Sequence, residues 1–455
     1  MWLCTSALPE PLESWESTAE GRTNVGEDLS SPEDPPPESL AGTPRIAVVF
    51  GVSLFNYISH TLIRYSTPLY FNALGYPEDT YVNFVFYWLT AFIAGSSFSG
   101  LLASRYGERR VWSGSLLLFA GLGLLLIHIP GHWMIPFSGL LYGLSAAGQW
   151  VGVMAFVQTV TPSKRGRANS FLMIALGAGS FIGAPLGRLL IGMSSGGAPT
   201  PEDFALLFWS HVLICVLGAV LVSAVSRHPG PAPHQVSESS WRTNVALLKM
   251  PRYLAIVIPL SLMGGPVFQT VNIYLPYRAG APEIGLMAGA VDQGWAALLT
   301  AGYGFQFLGG LAILLIAGRK AGAGMATGVL AAFAVCSLGI GFSPNAYALF
   351  VFVALFEFVR QLMRWSQTGY VSEHMPIHLR GPAIGFSTTL SGLSSTLFAY
   401  VIKEVFPPGA PNFSSSLPFF IGGSIGVLGA LLLLISNKAL LKASPPREQQ
   451  RSDTT

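Results

Sequence analysis

Charged side chains are scarce here: Asp, Glu, Lys and Arg make up 10% of 455 residues, whereas 51% are hydrophobic. A soluble domain carries about 25% charged residues, so a water-dissolved globular protein is excluded and the chain reads as an all-α integral membrane protein. Cysteine is nearly absent too. Cys4 lies in a polar N-terminal stretch, and Cys215 and Cys336 lie inside apolar runs, which leaves neither a disulfide framework nor a metal cluster. There is no Gly-x-x-x-x-Gly-Lys-Ser/Thr loop to cradle nucleotide phosphates, which removes ATP-driven chemistry. No His/Cys pairs stand at metal-ligand spacing, and no polar segment is large enough for a catalytic domain. An enzyme, a cofactor, a bound metal and a nucleic-acid partner are therefore not expected. The first twelve residues lack the basic start and the apolar length of a signal peptide.

The charge that is present is unevenly placed. Residues 1–44 hold nine acidic side chains and one arginine, net −8, and the remainder carries +11. With Pro35-Pro36-Pro37 and repeated Glu and Ser, segment 1–44 buries too little apolar surface to fold and is expected to be a disordered cytoplasmic tail. Binding of a regulatory partner is its alternative role.

Beyond it the apolar runs predict twelve membrane helices, each near the roughly 20 residues that cross a bilayer: 46–71, 81–103, 111–129, 133–160, 168–193, 205–225, 253–277, 291–317, 322–342, 347–371, 383–405 and 418–436. A polar, proline-bearing stretch at 226–250 divides them into an N-terminal half, 45–225, and a C-terminal half, 251–437, with a polar tail at 438–455. Basic residues collect in alternate loops: Arg105, Arg109 and Arg110; Lys164, Arg165 and Arg167; Arg242, Lys249 and Arg252; Arg319 and Lys320; Lys438 and Lys442. The opposite loops carry Glu78, Asp79, Glu202, Asp203, Glu283 and Glu404. The positive-inside rule then puts both termini in the cytoplasm of a cell-membrane protein, plasma or inner.

The short basic stretch between helices 2 and 3 forces them into an antiparallel hairpin. Its Gly100, Leu102 or Ala103, Arg105, Gly107 and Arg109/Arg110 resemble the helix 2–3 signature of the major facilitator superfamily. Ser104 stands where that family has aspartate, and Glu108 where it usually has a basic residue. The halves also repeat at an offset of 215: Arg165-Gly166-x-Ala168-x-x-Phe171 meets Arg380-Gly381-x-Ala383-x-x-Phe386, Arg105-x-Gly107 meets Lys320-x-Gly322, and Trp150 meets Trp365. Transporters of this kind are built from such repeats. The resemblance covers about 45–440. It implies two pseudo-symmetric six-helix halves, a central cavity lined by helices 1, 4, 7 and 10, and a gating role for the 2–3 loop, whose latch Ser104 would weaken unless Glu108 substitutes.

Polar groups within the spans are costly and therefore functional candidates. In helix 10, Glu357, Arg360, Gln361 and Arg364 share one face. They read either as an anion site with Glu357 as a proton-coupling carboxylate, or as a static ion pair joining helices. Helix 1 offers Asn56, His60 and Arg64 at i, i+4 and i+8. His60 is a second proton candidate or a packing histidine, and Arg64 a cavity group or a snorkelling anchor. Gln149, Gln269 and Asn272 complete the expected cavity ring, with Gln306 a weaker candidate. Gly179, Gly183, Pro185 and Gly187 in helix 5 form a small-residue face for close helix packing. They resemble the family's antiporter motif, with the proline displaced by one residue and Arg188 in place of its last glycine. Leu144 occupies the position where drug antiporters carry arginine.

The expected function is secondary active transport of a small organic solute, possibly anionic, by alternating access, coupled to protons or another ion. A monomer in the lipid bilayer is expected. Multidrug or sugar efflux is one alternative, and a non-transporting sensor or scaffold of the same fold is another.

Overall fold

The computed structural model describes residues 42–77, 80–128, 131–158, 162–192, 199–224, 251–286, 291–316, 323–374, 380–407 and 414–442. The expectations for the acidic segment up to residue 41, the linker at 226–250 and the tail beyond 442 lie outside them, as do those for Glu78 and Asp79.

The N-terminal half comprises α1 (Gly42–Ala73), α2 (Thr80–Tyr106), α3 (Glu108–His128), α4 (Met134–Gln158), α5 (Pro162–Gly192) and α6 (Ala205–Ala224). The C-terminal half opens with α7, built from Pro251–Ile258, a π-turn at Pro259–Met263, and Gly264–Ala279. It continues with α8 (Val291–Ile316), α9 (Ala323–Phe342), α10 (Ala346–His374), α11 (Arg380–Val405) and α12 (Leu417–Lys442). Among the described residues, eleven of these helices are long and apolar enough to cross a membrane. The other, α11, carries seven hydroxyl residues between 387 and 396. Ser394, Ser395 and Thr396 turn their hydroxyls onto carbonyls three or four residues back, which satisfies them without water.

The packing repeats as the sequence does. In the first half α1 packs on α5, α2 on α4, and α3 on α6; in the second α7 packs on α11, α8 on α10, and α9 on α12. The halves meet along two equivalent seams, α5 against α8 and α2 against α11. Glycine decides how closely they approach. A Cβ on Gly177 would lie 2.5 Å from the Phe307 backbone, and one on Gly310 3.0 Å from that of Ile174.

Three expectations need correction. The stretch from Gly100 to Arg110 is hardly a loop: α2 runs through Tyr106, α3 begins at Glu108, and only Gly107 lies between. Gly107 has φ +92°, a left-handed corner that glycine adopts without strain. The side chains of Ser104 and Arg105 lie outside the described residues, so the weakened latch has no contact to report. Second, α5 starts at Pro162, because proline is well placed in a first helical turn, so the basic stretch 163–167 is helical rather than loop. Third, α12 continues to Lys442 and takes in the start of the expected tail.

The basic end of the helix bundle holds the α2–α3 corner, and the far end the opposite loops. At the far end Arg278 is 3% exposed and pairs with Glu283, while its Nη2 donates to Ser343 O at 2.5 Å. Its Nε donates to Ile340 O at 3.4 Å, so one guanidinium ties the end of α7 to the C-terminal carbonyls of α9. The Glu283 carboxyl is held below its ordinary 4.5 by its own backbone N–H and by Arg278.

Candidate functional site

A cavity of about 240 Å³ lies between the halves, lined mainly from α1, α2, α4, α7, α10 and α11, with single residues from α3, α5, α8 and α9. Its lining runs from central positions such as Arg64 and Asn272 toward the basic end, where Trp112, Val153, Gln367 and Ser387 contribute. From these central positions to the far end the halves are tied together. Arg64 donates to Asn272 Oδ1, Tyr81 Oη donates to Asn272 O at 3.4 Å, and Lys403 Nζ donates to Asn83 Oδ1 at 2.6 Å.

The α10 stripe divides on folding. Arg360 and Arg364 line the cavity, each with its guanidinium carbon over the Phe268 ring at 5.3 and 5.2 Å, close enough for cation–π attraction. Arg360 is 2% exposed, pairs with Glu357 and donates to Gln306 Oε1 at 3.0 Å. Its Nε and Nη1 have no partner among the described residues. Glu357 sits behind it, 4% exposed and outside the lining, with its Cγ 3.2 Å from where a Cβ on Gly302 would be. Gln361 was expected in the cavity and is not among its lining residues. Its Nε2 donates to Met173 O on α5 at 2.8 Å. One residue beyond Arg360 means about 100° around the helix, and here that step turns Gln361 toward α5.

On α1, Arg64 lies at the seam rather than snorkelling to the lipid, and its Asn272 partner donates onward to Gln269 Oε1 at 3.2 Å. His60 is fixed from both sides. Gln149 Nε2 is aimed at Ser115 O (3.4 Å), which turns its Oε1 toward His60 Nε2 at 2.7 Å. His60 Nε2 must therefore donate, and Nδ1 is hydrogen-bonded to the Tyr142 hydroxyl at 3.0 Å. Both imidazole nitrogens are thus used. Asn56 lines the cavity with its Oδ1 unpartnered among the described residues. The small face of α5 lies on α1: Cβ atoms on Gly179, Gly183 and Gly187 would fall 2.4 Å from Leu54 O, 2.7 Å from Thr61 Cβ and 2.8 Å from Tyr65 Cδ1. Pro185 and Arg188 are exposed on the same helix and line a separate outer groove beside α8.

Some contributors were missed from sequence. Gln367 continues the α10 stripe one turn past Arg364 and donates to Ser387 Oγ at 2.7 Å and Ser261 Oγ at 3.3 Å. Tyr142 stands two turns before Gln149 on α4. Spacing would have reached both. Ser261 sits in the π-turn that Pro259 opens by lacking an N–H, and no periodic signal marks it. Nor does one mark the buried network away from the cavity, where Ser59 Oγ donates to His211 Nδ1 at 2.6 Å and lies 3.2 Å from Cys215 Sγ, while His211 Nε2 donates to Phe119 O at 2.8 Å.

Residues 49–399, most of the chain, match the family model described as the Major Facilitator Superfamily. The chain belongs to that superfamily. It is a multi-pass membrane protein embedded in the bilayer. Among curated relatives, the alpha-ketoglutarate permease of Bacillus subtilis (strain 168) is 26% identical over 180 residues, which is 37% of this chain and 40% of that protein. The multidrug resistance protein MdtH of Shigella dysenteriae serotype 1 (strain Sd197) is 34% identical over 126 residues, 27% of each chain. The chain thus spans less than half the length of either relative. As a superfamily member it has a central cavity bearing three guanidiniums, from Arg64, Arg360 and Arg364, with Glu357 paired to Arg360.

Proposed function

We propose that the protein moves a small organic anion by alternating access, with Arg360 and Arg364 as its principal ligands. The observation that carries this reading is Arg360, almost wholly buried at the cavity wall with two N–H donors unpartnered. Buried donors are expensive to leave unsatisfied, and a forked guanidinium matches carboxylate geometry. Arg64 and Arg364 line the same cavity and add positive charge beside it. The permease relative, named for a dicarboxylate, is consistent with that sign.

Coupling to a proton gradient is assigned to Glu357, which touches Arg360 and so can sense its occupancy. His60 is the weaker candidate because both of its nitrogens are already engaged. The positive-inside rule puts the basic end, toward which the cavity extends, in the cytoplasm, with both termini there. In this reading Arg64, Asn56, Gln149, Gln269 and Asn272 shape the site, Gln361 joins the halves, and the α2–α3 corner acts in gating. The protein works as a monomer.

The test is counterflow in proteoliposomes, with and without an imposed pH gradient, using organic anions, neutral sugars and a lipophilic cation. Anion exchange that Arg360→Gln abolishes is the expected result. Exchange of the cation or a sugar alone would favour efflux, and no exchange of any probe would favour a scaffold. Transport by Glu357→Gln that still follows the pH gradient would remove Glu357 from coupling.

A further inference from the structure

The two walls of the cavity differ in chemistry. The C-terminal half presents cations and hydrogen-bonding groups: Arg360, Arg364, Gln367 and Ser387. From Arg360 to Gln367 these groups climb about 10 Å along α10 toward the basic end. The N-terminal half adds polar groups on α1 and α4, Asn56, His60 and Gln149, but it also supplies most of the aromatic surface, with half-buried Tyr57, Trp88, Phe92 and Trp150. Their orientation is set in advance. Trp88 lies edge-on to Tyr142 with centroids 4.7 Å apart, and Tyr142 is held by His60, which is itself held by Gln149. The guanidinium that the N-terminal half supplies, Arg64, already donates across the seam to Asn272.

We infer that the cargo is an organic anion with a planar, apolar body, an aromatic carboxylate in class, whose carboxylate meets Arg360 and Arg364 while its ring lies on the Trp88–Phe92–Trp150 wall. This rests on the anion reading above and narrows it. A short aliphatic dicarboxylate would leave that wall facing water and would find no second free cation on it. A lipophilic cation would suit the aromatic wall but meets the Arg360 and Arg364 guanidiniums opposite. An aromatic monoanion satisfies both walls at once, since ring pairing adds to simple burial and the forked contact fixes the charged end.

The experiment uses the full chain in proteoliposomes preloaded with 2-naphthoate. Counterflow of labelled 2-naphthoate is challenged with unlabelled 2-naphthoate, succinate, 2-oxoglutarate and ethidium. Quenching of intrinsic tryptophan fluorescence in detergent gives binding without turnover. We expect 2-naphthoate to bind at least tenfold more tightly than either dicarboxylate. Trp88→Ala should cut that preference about tenfold, with Trp88→Phe restoring most of it. Phe92→Leu, a milder change, should lower naphthoate affinity while leaving succinate binding as it was. A preference for succinate or 2-oxoglutarate would overturn this inference and leave anion transport standing. Binding of ethidium alone would overturn both, as would binding of no probe. A Trp88→Ala variant that folds and keeps the full naphthoate preference would also overturn it.

Discussion

The buried pair on α10 makes a sharp prediction because its partners differ in how they can escape isolation. Glu357 and Arg360 side chains are 5% and 2% exposed. Removing one member of such a pair strands a charge at a cost of about 3–5 kcal/mol, whereas replacing both with apolar groups is often neutral. The strandings are not equal. A carboxylate left alone can take up a proton and become neutral, but a guanidinium cannot lose one. Glu357→Met therefore leaves a fixed charge, still beside Arg364 over the same Phe268 ring. Arg360→Met leaves a carboxyl that a proton silences, along with an unbonded Gln306 amide. We expect Glu357→Met to lose about 3–5 kcal/mol, Arg360→Met less, and the double variant well under the sum, a coupling of at least about 2 kcal/mol. Reversible unfolding in mixed detergent and SDS, read by near-UV circular dichroism, gives the four corners of the cycle. The Arg360→Met deficit should also grow as pH rises, since the lone carboxyl then ionises. Additive single losses, or a larger loss for Arg360→Met at neutral pH, would refute the reasoning.

Other outcomes follow from the same contacts. Gly183→Leu places a side chain where Cβ alone would lie 2.7 Å from Thr61 Cβ and 2.9 Å from Ile58 O; overpacking of this kind costs about 1–3 kcal/mol and should lower the detergent melting temperature more than Gly114→Leu, whose Cβ meets nothing within 4 Å. Gln149→Leu leaves the His60 N–H unsatisfied and should cost about 1–3 kcal/mol, measured in the same unfolding assay. Lys403→Ala removes the bond to Asn83 at the far end and should raise far-side alkylation of a cysteine introduced at Asn272; unchanged labelling would mean the bond is no part of the closure. The Glu283 carboxyl is held low, so the stability it contributes is complete above about pH 4.5 and falls as pH drops through its lowered value. Glu283→Gln should therefore flatten the acid limb of the melting-temperature profile and lower the plateau above it.

Twelve helices were legible from the chain because crossing a bilayer is a local demand, about 20 apolar residues with every backbone bond made inside the segment. α11 was legible on the same ground despite its seven hydroxyls, since helical hydroxyls satisfy themselves on the preceding turn. The two-fold arrangement was also written locally, in matches at one offset between Arg165-Gly166 and Arg380-Gly381, which the α2–α11 and α5–α8 seams carry into space. The 2–3 stretch was placed correctly but read as longer than it is. Gly107 alone turns the chain, and that depends on a left-handed φ which composition only permits.

The candidate site was legible as a set of residues but not as an arrangement. Spacing put Glu357, Arg360, Gln361 and Arg364 on one broad face, yet a face that wide touches more than one neighbour. Only the packing of α8, α5 and α7 sends Glu357 toward Gly302, Gln361 to Met173, and both arginines to Phe268. The aromatic wall was invisible for a related reason, because aromatic residues are common in membrane helices and nothing in the order of Trp88, Phe92 and Trp150 says that α2 and α4 turn them to the same space. The sequence by itself determined span, number of helices and repeat, since each is settled within one segment or by comparing two. The tertiary structure decided which polar groups face each other, because that depends on rotations between helices far apart in the chain.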